Sequence, residues 1–158
     1  EDTVNHPNWL KPIHDPRELR RVVNLIVAEI GKLNPPPRFL AVRGTSGTAI
    51  GGAVSLVSDL PLVVVRKEED DSHAKHYGTV QGMRGTGGYY VIVDDLVDSG
   101  NTVQVIASTV KRDHEQNPDS ALRTECIAVI LYSADQIKKG AIDIDGRTVP
   151  LITPNYPR

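Results

Sequence analysis

The sequence predicts an α/β fold, in which a mainly parallel central sheet is flanked by helices. Short apolar runs alternate with amphipathic segments along the 158 residues, as in repeated strand–helix units. The run Val91 to Val93 has no polar alternation and fits a strand that is covered on both faces. Near the end of the chain, Asp145-Gly146 separates two apolar runs and predicts an antiparallel hairpin at one edge of the sheet.

The first helix is expected to begin after Asp15. Asp15 can cap the helix, Pro16 suits its first position, and Glu18 stands three residues after the cap. Apolar residues then recur at helical spacing, at Leu19, Val22, Val23, Ile26, Ile30 and Leu33. The run Pro35-Pro36-Pro37 ends this helix.

Strands and helices are then expected in alternation. The strands are expected at Phe39 to Val42, Leu62 to Val65, Tyr89 to Val93 and Arg123 to Tyr132. The helices are expected at Thr48 to Ser58 and Thr102 to Lys111, the first of them after a loop, Arg43-Gly44-Thr45-Ser46-Gly47. The hairpin is expected to pair Ala141 to Ile144 with Arg147 to Leu151.

One domain is expected over residues 1–158, because this length suits a single hydrophobic core. Within it we distinguish an N-terminal segment over 1–15 and a C-terminal hairpin or hood piece over 133–158. The segment Lys67 to Gly88 is charged, glycine-rich and almost free of aliphatic residues. A segment of this length without secondary structure is usually functional or disordered, so we expect a flexible loop.

Composition excludes several classes of protein. The formal net charge is −2 and both signs are mixed along the chain, which argues against binding to nucleic acid or a membrane surface by bulk electrostatics. Cys126 is the single cysteine, so an internal disulfide and a cysteine zinc site are excluded, and a cytoplasmic location is expected. No apolar run approaches the roughly 20 residues of a membrane span. No histidine pair has the spacing of metal ligands.

The run from Val91 to Thr102 carries the strongest functional pattern. Its strand ends in Asp94 and Asp95, and unpaired carboxylates inside a sheet would be very costly. One aspartate alone would be an ordinary cap in a solvated turn, but two belong past the carboxyl edge, where open α/β sheets bind ligands. The loop from Val97 to Thr102 then offers backbone amides, two hydroxyls and a glycine at a helix N-terminus, which is a phosphate site. A ribose 5-phosphate fits both the acid pair and this loop, with its hydroxyls near the acids and its phosphate at the loop.

This run resembles the phosphoribosyl-diphosphate (PRPP) binding motif of type I phosphoribosyltransferases. It has hydrophobic residues, two acids, two apolar residues, an acid, a hydroxyl residue, glycine, any residue and threonine. The resemblance extends over about Phe39 to Tyr132. It implies the type I phosphoribosyltransferase fold with a small variable hood, and a Mg²⁺-dependent transfer of the 5-phosphoribosyl group from PRPP to a nucleobase nitrogen, with release of diphosphate.

The resemblance also implies a role for each motif residue. Asp94 and Asp95 would lie near the ribose hydroxyls and near Mg²⁺, which they would hold indirectly through PRPP or water. The 5-phosphate would be bound by the loop residues Val97, Asp98, Ser99, Gly100, Asn101 and Thr102. Asp98 would also lie near the base, where it could assist proton transfer. The residues implied in catalysis are Asp94, Asp95, Asp98 and Lys75.

Two further loops resemble parts of the same family. Arg43-Gly44-Thr45 is similar to the short diphosphate loop, which often contains a non-proline cis peptide, here expected at Val42–Arg43 or nearby. The segment Lys67 to Gly88 is similar to the loop that closes over PRPP. The residues implied in diphosphate binding are Arg43, Gly44, Thr45, Arg66, Lys67 and Lys75. In related dimers the loop lysine serves the neighbouring subunit, which implies a homodimer.

The sequence does not identify the acceptor base. Arg66-Lys67 and the segment from Ala74 to Gly78 have features of both orotate and adenine enzymes, and a purine acceptor is slightly preferred over orotate. A regulator of the same fold that binds PRPP or nucleotides without catalysis is the alternative outside enzymes. A PRPP-making enzyme is a weaker alternative, since it would need an ATP site and a longer chain. Trp9 and Tyr132 would each either stack on the base or serve ordinary packing.

Overall fold

The computed structural model describes residues 15–66, 80–82, 87–95, 100–116, 122–132 and 140–154. Within these ranges the helices are α1 (Pro16–Gly31), α2 (Gly44–Ser58) and α3 (Asn101–Gln116). The strands of the N-terminal half are β1 (Phe39–Arg43), β2 (Leu62–Val65) and β3 (Val80–Gly82). The later strands are β4 (Gly88–Asp94), β5 (Thr124–Leu131), β6 (Ala141–Ile144) and β7 (Arg147–Ile152). No helix among the described residues is long and apolar enough to cross a membrane.

The described strands form one seven-stranded sheet in the order β3-β2-β1-β4-β5-β7-β6. Strands β2, β1, β4, β5 and β7 are parallel to their neighbours in that order, whereas β3 and β6 pair antiparallel with β2 and β7. The predicted mainly parallel sheet and its Asp-Gly hairpin are therefore confirmed. The chain moves outward from β1 to β2 and then returns to the other side of β1 with β4. The sheet thus has a topological switch point between β1 and β4, and ligands of open α/β sheets bind at such points.

Both faces of the sheet are covered. Helices α1 and α2 pack on one face, where Leu40 and Val42 of β1 lie, and α3 packs on the other face against Phe39 and Ala41. The rings of Phe39 and Tyr90 stack on the α3 side, with their centroids 4.8 Å apart. This two-sided burial is the reason that the central strands are continuous apolar runs rather than alternating ones.

Several predicted boundaries differ from the structure. Helix α1 ends at Gly31, so that Leu33 lies outside it, and α3 continues past Lys111 to Gln116. Helix α2 begins at Gly44 rather than at Thr48, so the predicted loop 43–47 is largely its first turn. The Thr48 hydroxyl donates to the Gly44 carbonyl over 2.6 Å within that turn, a local bond that makes threonine compatible with the helix.

The predicted flexible loop over 67–88 contains a strand that was not predicted. Val80–Gly82 form β3, which pairs antiparallel with β2 and extends the sheet by one strand. Pairing satisfies the backbone groups that β2 would otherwise expose as an edge strand. Three residues are too few to show a strand periodicity in the sequence. Residues 67–79 and 83–86 lie outside the described ranges.

Asp15 gives a direct test of the predicted helix cap. Its Oδ1 accepts a hydrogen bond from the Arg17 amide at 2.9 Å, and Pro16 follows as expected. Replacing Asp15 by alanine should lower the free energy of unfolding by about 1 kcal/mol, because one amide of the first turn loses its partner. Urea denaturation measures the change. Asp15→Ser is the matched control and should remain near the wild-type value; equal losses in both variants would reject the capping role.

Candidate functional site

The carboxyl ends of the parallel strands bring three predicted site segments to one edge of the sheet. Strand β1 ends at Arg43, directly before α2, and the neighbouring β4 ends at Asp94. Gly100 lies directly before α3. Arg66 follows β2 at the same edge and is half-buried. Val97, Asp98, Ser99, Lys67 and Lys75 lie outside the described residues.

The acid pair lies at the end of the central strand β4. Asp94 is only 4% exposed, whereas Asp95 is half-buried. The Oδ1 atom of Asp94 accepts a hydrogen bond from the Asp95 amide at 2.9 Å, and its carbonyl accepts one from the Tyr132 amide at 3.0 Å. These bonds hold the backbone that carries both carboxylates. They offset part of the cost of burying Asp94 at this position.

The described part of the predicted phosphate loop, from Gly100, leads into the N-terminus of a helix. Gly100 is buried with φ of 79°, and its carbonyl accepts the Gln104 amide at 3.0 Å, which places Gly100 at the N-terminal end of α3. A side chain at position 100 would place Cβ 2.9 Å from Cδ1 of Ile142, on β6. Asn101 and Thr102 begin α3. The first-turn amides of α3 have no partners within the helix and carry the positive end of its dipole, which suits an anion.

A second helix N-terminus faces the same edge. Arg43 has an extended backbone, with φ of −145° and ψ of 146°, and leads from β1 directly into Gly44 and Thr45 of α2. The Arg43 Nε atom is buried and lacks a hydrogen-bond partner among the described residues. The cis peptide expected near Val42–Arg43 is not found, since the cis bond among the described residues is Asn34–Pro35. An extended Arg43 joins the strand to the helix without one.

Tyr132 connects these segments. It directly follows β5, is 6% exposed, and packs in the apolar cluster under α1 and α2. Its hydroxyl donates to Oγ of Ser46, in the first turn of α2, over 3.0 Å. Of the two alternatives for Tyr132, the structure supports packing rather than an open ring for base stacking. Trp9 lies outside the described residues.

Two residues at this edge were missed by sequence reasoning. Ser46 was taken as part of a loop, although its hydroxyl contacts the residue that follows β5. Thr153 follows β7, and its Oγ1 is buried without a hydrogen-bond partner among the described residues. The pairing of β7 with β5 brings Thr153 to the edge, and no local sequence pattern marks that parallel pairing.

The chemistry of the acid pair suits a hard divalent cation. Among the described residues no group of three or more histidine, cysteine or acidic side chains could hold a metal ion alone. Carboxylate oxygens are nevertheless what Mg²⁺ takes from proteins, usually one or two of them together with substrate phosphates and water. Asp94 and Asp95 therefore fit a cation that a phosphorylated ligand brings with it.

A separate cavity of about 750 Å³ lies beside the C-terminal half of α3 and the start of β5. Its lining contains no residue of the carboxyl edge. Two ion pairs lie in its lining, between Lys111 and Asp145 over 3.0 Å and between Arg147 and Glu125. Cys126 at its base is buried, and burial raises the pKa of the thiol to about 12, so it stays protonated at neutral pH. The acid pair, not this cavity, marks the candidate site.

Several solved structures with a similar fold are orotate or adenine phosphoribosyltransferases. Orotate phosphoribosyltransferase from Francisella tularensis is 17% identical, with a TM-score of 0.57 over 85% of this chain and 58% of its own. Adenine phosphoribosyltransferase from Saccharomyces cerevisiae is 14% identical, with a TM-score of 0.62 over 89% of this chain and 80% of its own. The chain has the type I phosphoribosyltransferase fold.

These similarities are similarities of structure, and this chain matches only part of the length of the other proteins. UMP synthase from Leishmania donovani is 20% identical, with a TM-score of 0.56 over 78% of this chain. The chain spans 24% of that protein and 58% of the Francisella tularensis enzyme. No protein-family model and no curated protein matches the sequence.

Proposed function

We propose that this chain is a type I phosphoribosyltransferase that transfers the 5-phosphoribosyl group of PRPP to a nucleobase nitrogen. The observation that carries the proposal is the acid pair at the end of β4, with Asp94 buried and Asp95 half-buried, at the edge where α2 and α3 begin. In the reaction, the bond from the anomeric carbon to diphosphate breaks, a bond to the base nitrogen forms, and the base gives up a proton. The similar yeast enzyme was solved with an imino-altritol bisphosphate and adenine.

The carboxylates Asp94 and Asp95 would hold the ribose hydroxyls while positive charge develops at the anomeric carbon. A fixed negative group is more effective there than in water, because the buried site needs no reorganisation. The amides at the start of α3, with Ser99 and Thr102, would bind the 5-phosphate. Asp98 would take the proton of the base. No protein nucleophile is needed.

The leaving diphosphate would be held at the start of α2. Gly44 and Thr45 belong to the first turn of α2, at the positive end of its dipole, where amides lack partners within the helix. Arg43 and Arg66 add positive charge at the same edge. We propose Lys67 and Lys75 as further cations of this group, with Lys75 serving the neighbouring site of a homodimer. When bound, Mg²⁺ would neutralise charge shared between diphosphate and ribose oxygens, held indirectly by Asp94 and Asp95.

The acceptor is proposed to be a purine, with orotate as the second candidate. Both adenine and orotate enzymes are among the similar structures, so the fold is compatible with either acceptor base. The choice between an enzyme and a regulator is decided by turnover. The acid pair together with Arg43 and Lys75 favours an enzyme, because these charges would stabilise both the positive charge that develops on the ribose and the leaving diphosphate.

An activity panel tests the proposal. Purified protein is incubated with PRPP, Mg²⁺ and one of adenine, guanine, hypoxanthine, xanthine, orotate or uracil, and the nucleotide product and diphosphate are measured by chromatography. One purine should give the corresponding nucleoside monophosphate in equal amounts with diphosphate. Product from orotate alone would reject the purine acceptor. PRPP binding without turnover of any base would reject the enzyme and support a regulator.

A further inference from the structure

Tyr132 joins two parts of the site that are far apart in the sequence. Its amide donates to the carbonyl of Asp94 over 3.0 Å, and its hydroxyl lies 3.0 Å from Oγ of Ser46, 86 residues away. One buried residue thus links the end of the acid-bearing strand β4, through its backbone amide, to the first turn of α2, through its phenol. Any shift of α2 relative to Asp94 would break one of these two bonds.

The hydroxyl of Tyr132 has a use beyond packing. The ring already packs with Val42, Ile50 and their neighbours, a role that phenylalanine could also fill. When the phenol donates to Ser46, the hydrogen of the Ser46 hydroxyl remains available for another acceptor, since a hydroxyl both accepts and donates. Ser46 is half-buried and lies among the first amides of α2, which have no acceptors within the helix. An anion bound at this turn would meet the amides and this hydroxyl together.

We propose that Tyr132 is a positioning residue that holds Ser46 as a hydrogen-bond donor to the diphosphate group of PRPP. The inference rests on the proposed function, because it takes the start of α2 as the diphosphate subsite. It adds an uncharged side-chain donor to a subsite otherwise built from backbone amides and cationic side chains. It also separates the two ends of PRPP, since Tyr132 acts on the α2 end and the 5-phosphate belongs at α3.

The test compares Tyr132→Phe, Ser46→Ala and the double variant by calorimetric titration with diphosphate, PRPP and ribose 5-phosphate. Each single variant should bind diphosphate and PRPP about ten- to a hundredfold more weakly, the loss that follows when a hydrogen bond to a charged group is removed. The double variant should bind these ligands no more weakly than Ser46→Ala does, because both substitutions act on the same hydrogen bond from Ser46. Ribose 5-phosphate affinity should stay at the wild-type value in all three. Ser46→Thr, which keeps the hydroxyl, should retain most of the diphosphate affinity.

Tyr89→Phe is the matched control. Tyr89 is 39% exposed near the start of β4, at the opposite end of that strand from the site, and its loss of hydroxyl should change no affinity. Wild-type diphosphate affinity in Tyr132→Phe and Ser46→Ala would overturn the inference, even if their thermal stability falls. Equal weakening of diphosphate and ribose 5-phosphate would also overturn it, in favour of a general structural role. A wild-type protein that binds neither PRPP nor diphosphate would overturn the proposed function itself.

Discussion

Replacing Asp94 or Asp95 by asparagine should lower turnover by about 10²–10³-fold, with the fold retained. Electrostatic groups that act on developing charge are typically worth this much when one is removed. An asparagine keeps the size of the side chain, and its Oδ1 can still accept the Asp95 amide as the Asp94 carboxylate does at 2.9 Å. The amide lacks the negative charge that would stabilise the ribose as diphosphate leaves. Initial rates with PRPP and the base found active in the panel measure the loss.

The matched control for both variants is Asp59→Asn. Asp59 is exposed, follows α2, and has φ of 59°, a conformation that asparagine adopts readily. This variant should keep wild-type activity. PRPP affinity should fall far less than turnover in Asp94→Asn and Asp95→Asn, because charge at the anomeric carbon develops only in the transition state. Unchanged turnover in both variants would remove the acid pair from the mechanism.

The parts of the fold that could be predicted are those with a local physical cause. Leu62–Val65 form β2 as expected, because a short apolar run between turn residues is typical of a strand in a sheet that is covered on both faces. The cap at Asp15 followed from side-chain chemistry that involves only three consecutive residues. The cost of burying two charges placed the acid pair past the edge of the sheet, which holds for the half-buried Asp95. It was wrong for Asp94, which is the last residue of β4 and is 4% exposed, with its Oδ1 bonded to the Asp95 amide.

The parts that could not be predicted depend on contacts between distant residues. The parallel pairing of β7 with β5 and the bond from Tyr132 to Ser46 join segments whose own sequences show no sign of each other. The early start of α2 was missed because glycine, threonine and serine favour turns by local propensity. Packing decides instead, since Gly47, Ile50 and Val54 of that helix are buried on the sheet. Val80–Gly82 form a strand only because β2 offers an unpaired edge.

Gly100 is the position where backbone conformation should matter most for the bound phosphate. Its φ of 79° is one that an alanine adopts at a cost of about 1–2 kcal/mol, and an added Cβ would lie 2.9 Å from Cδ1 of Ile142. An alanine at position 100 is therefore strained, and we expect the peptide at the start of α3 to rotate in order to relieve that strain. This rotation would turn the amides that are proposed to bind the 5-phosphate away from it. We expect PRPP and ribose 5-phosphate to bind about tenfold more weakly, the factor that corresponds to about 1.4 kcal/mol.

Gly146→Ala separates the backbone strain from the site. Gly146 has almost the same φ, 78°, but lies in the hairpin turn between β6 and β7 with open space around it. The Gly146→Ala variant should lose about as much unfolding free energy as Gly100→Ala does, but it should keep the wild-type affinity for ribose 5-phosphate. Adding Ile142→Val to Gly100→Ala removes the contacting methyl, so it should recover part of the stability but not the affinity. If Gly100→Ala bound ribose 5-phosphate as well as Gly146→Ala does, the start of α3 would not be the 5-phosphate subsite, because an amide array that tolerates this rotation is not holding the phosphate.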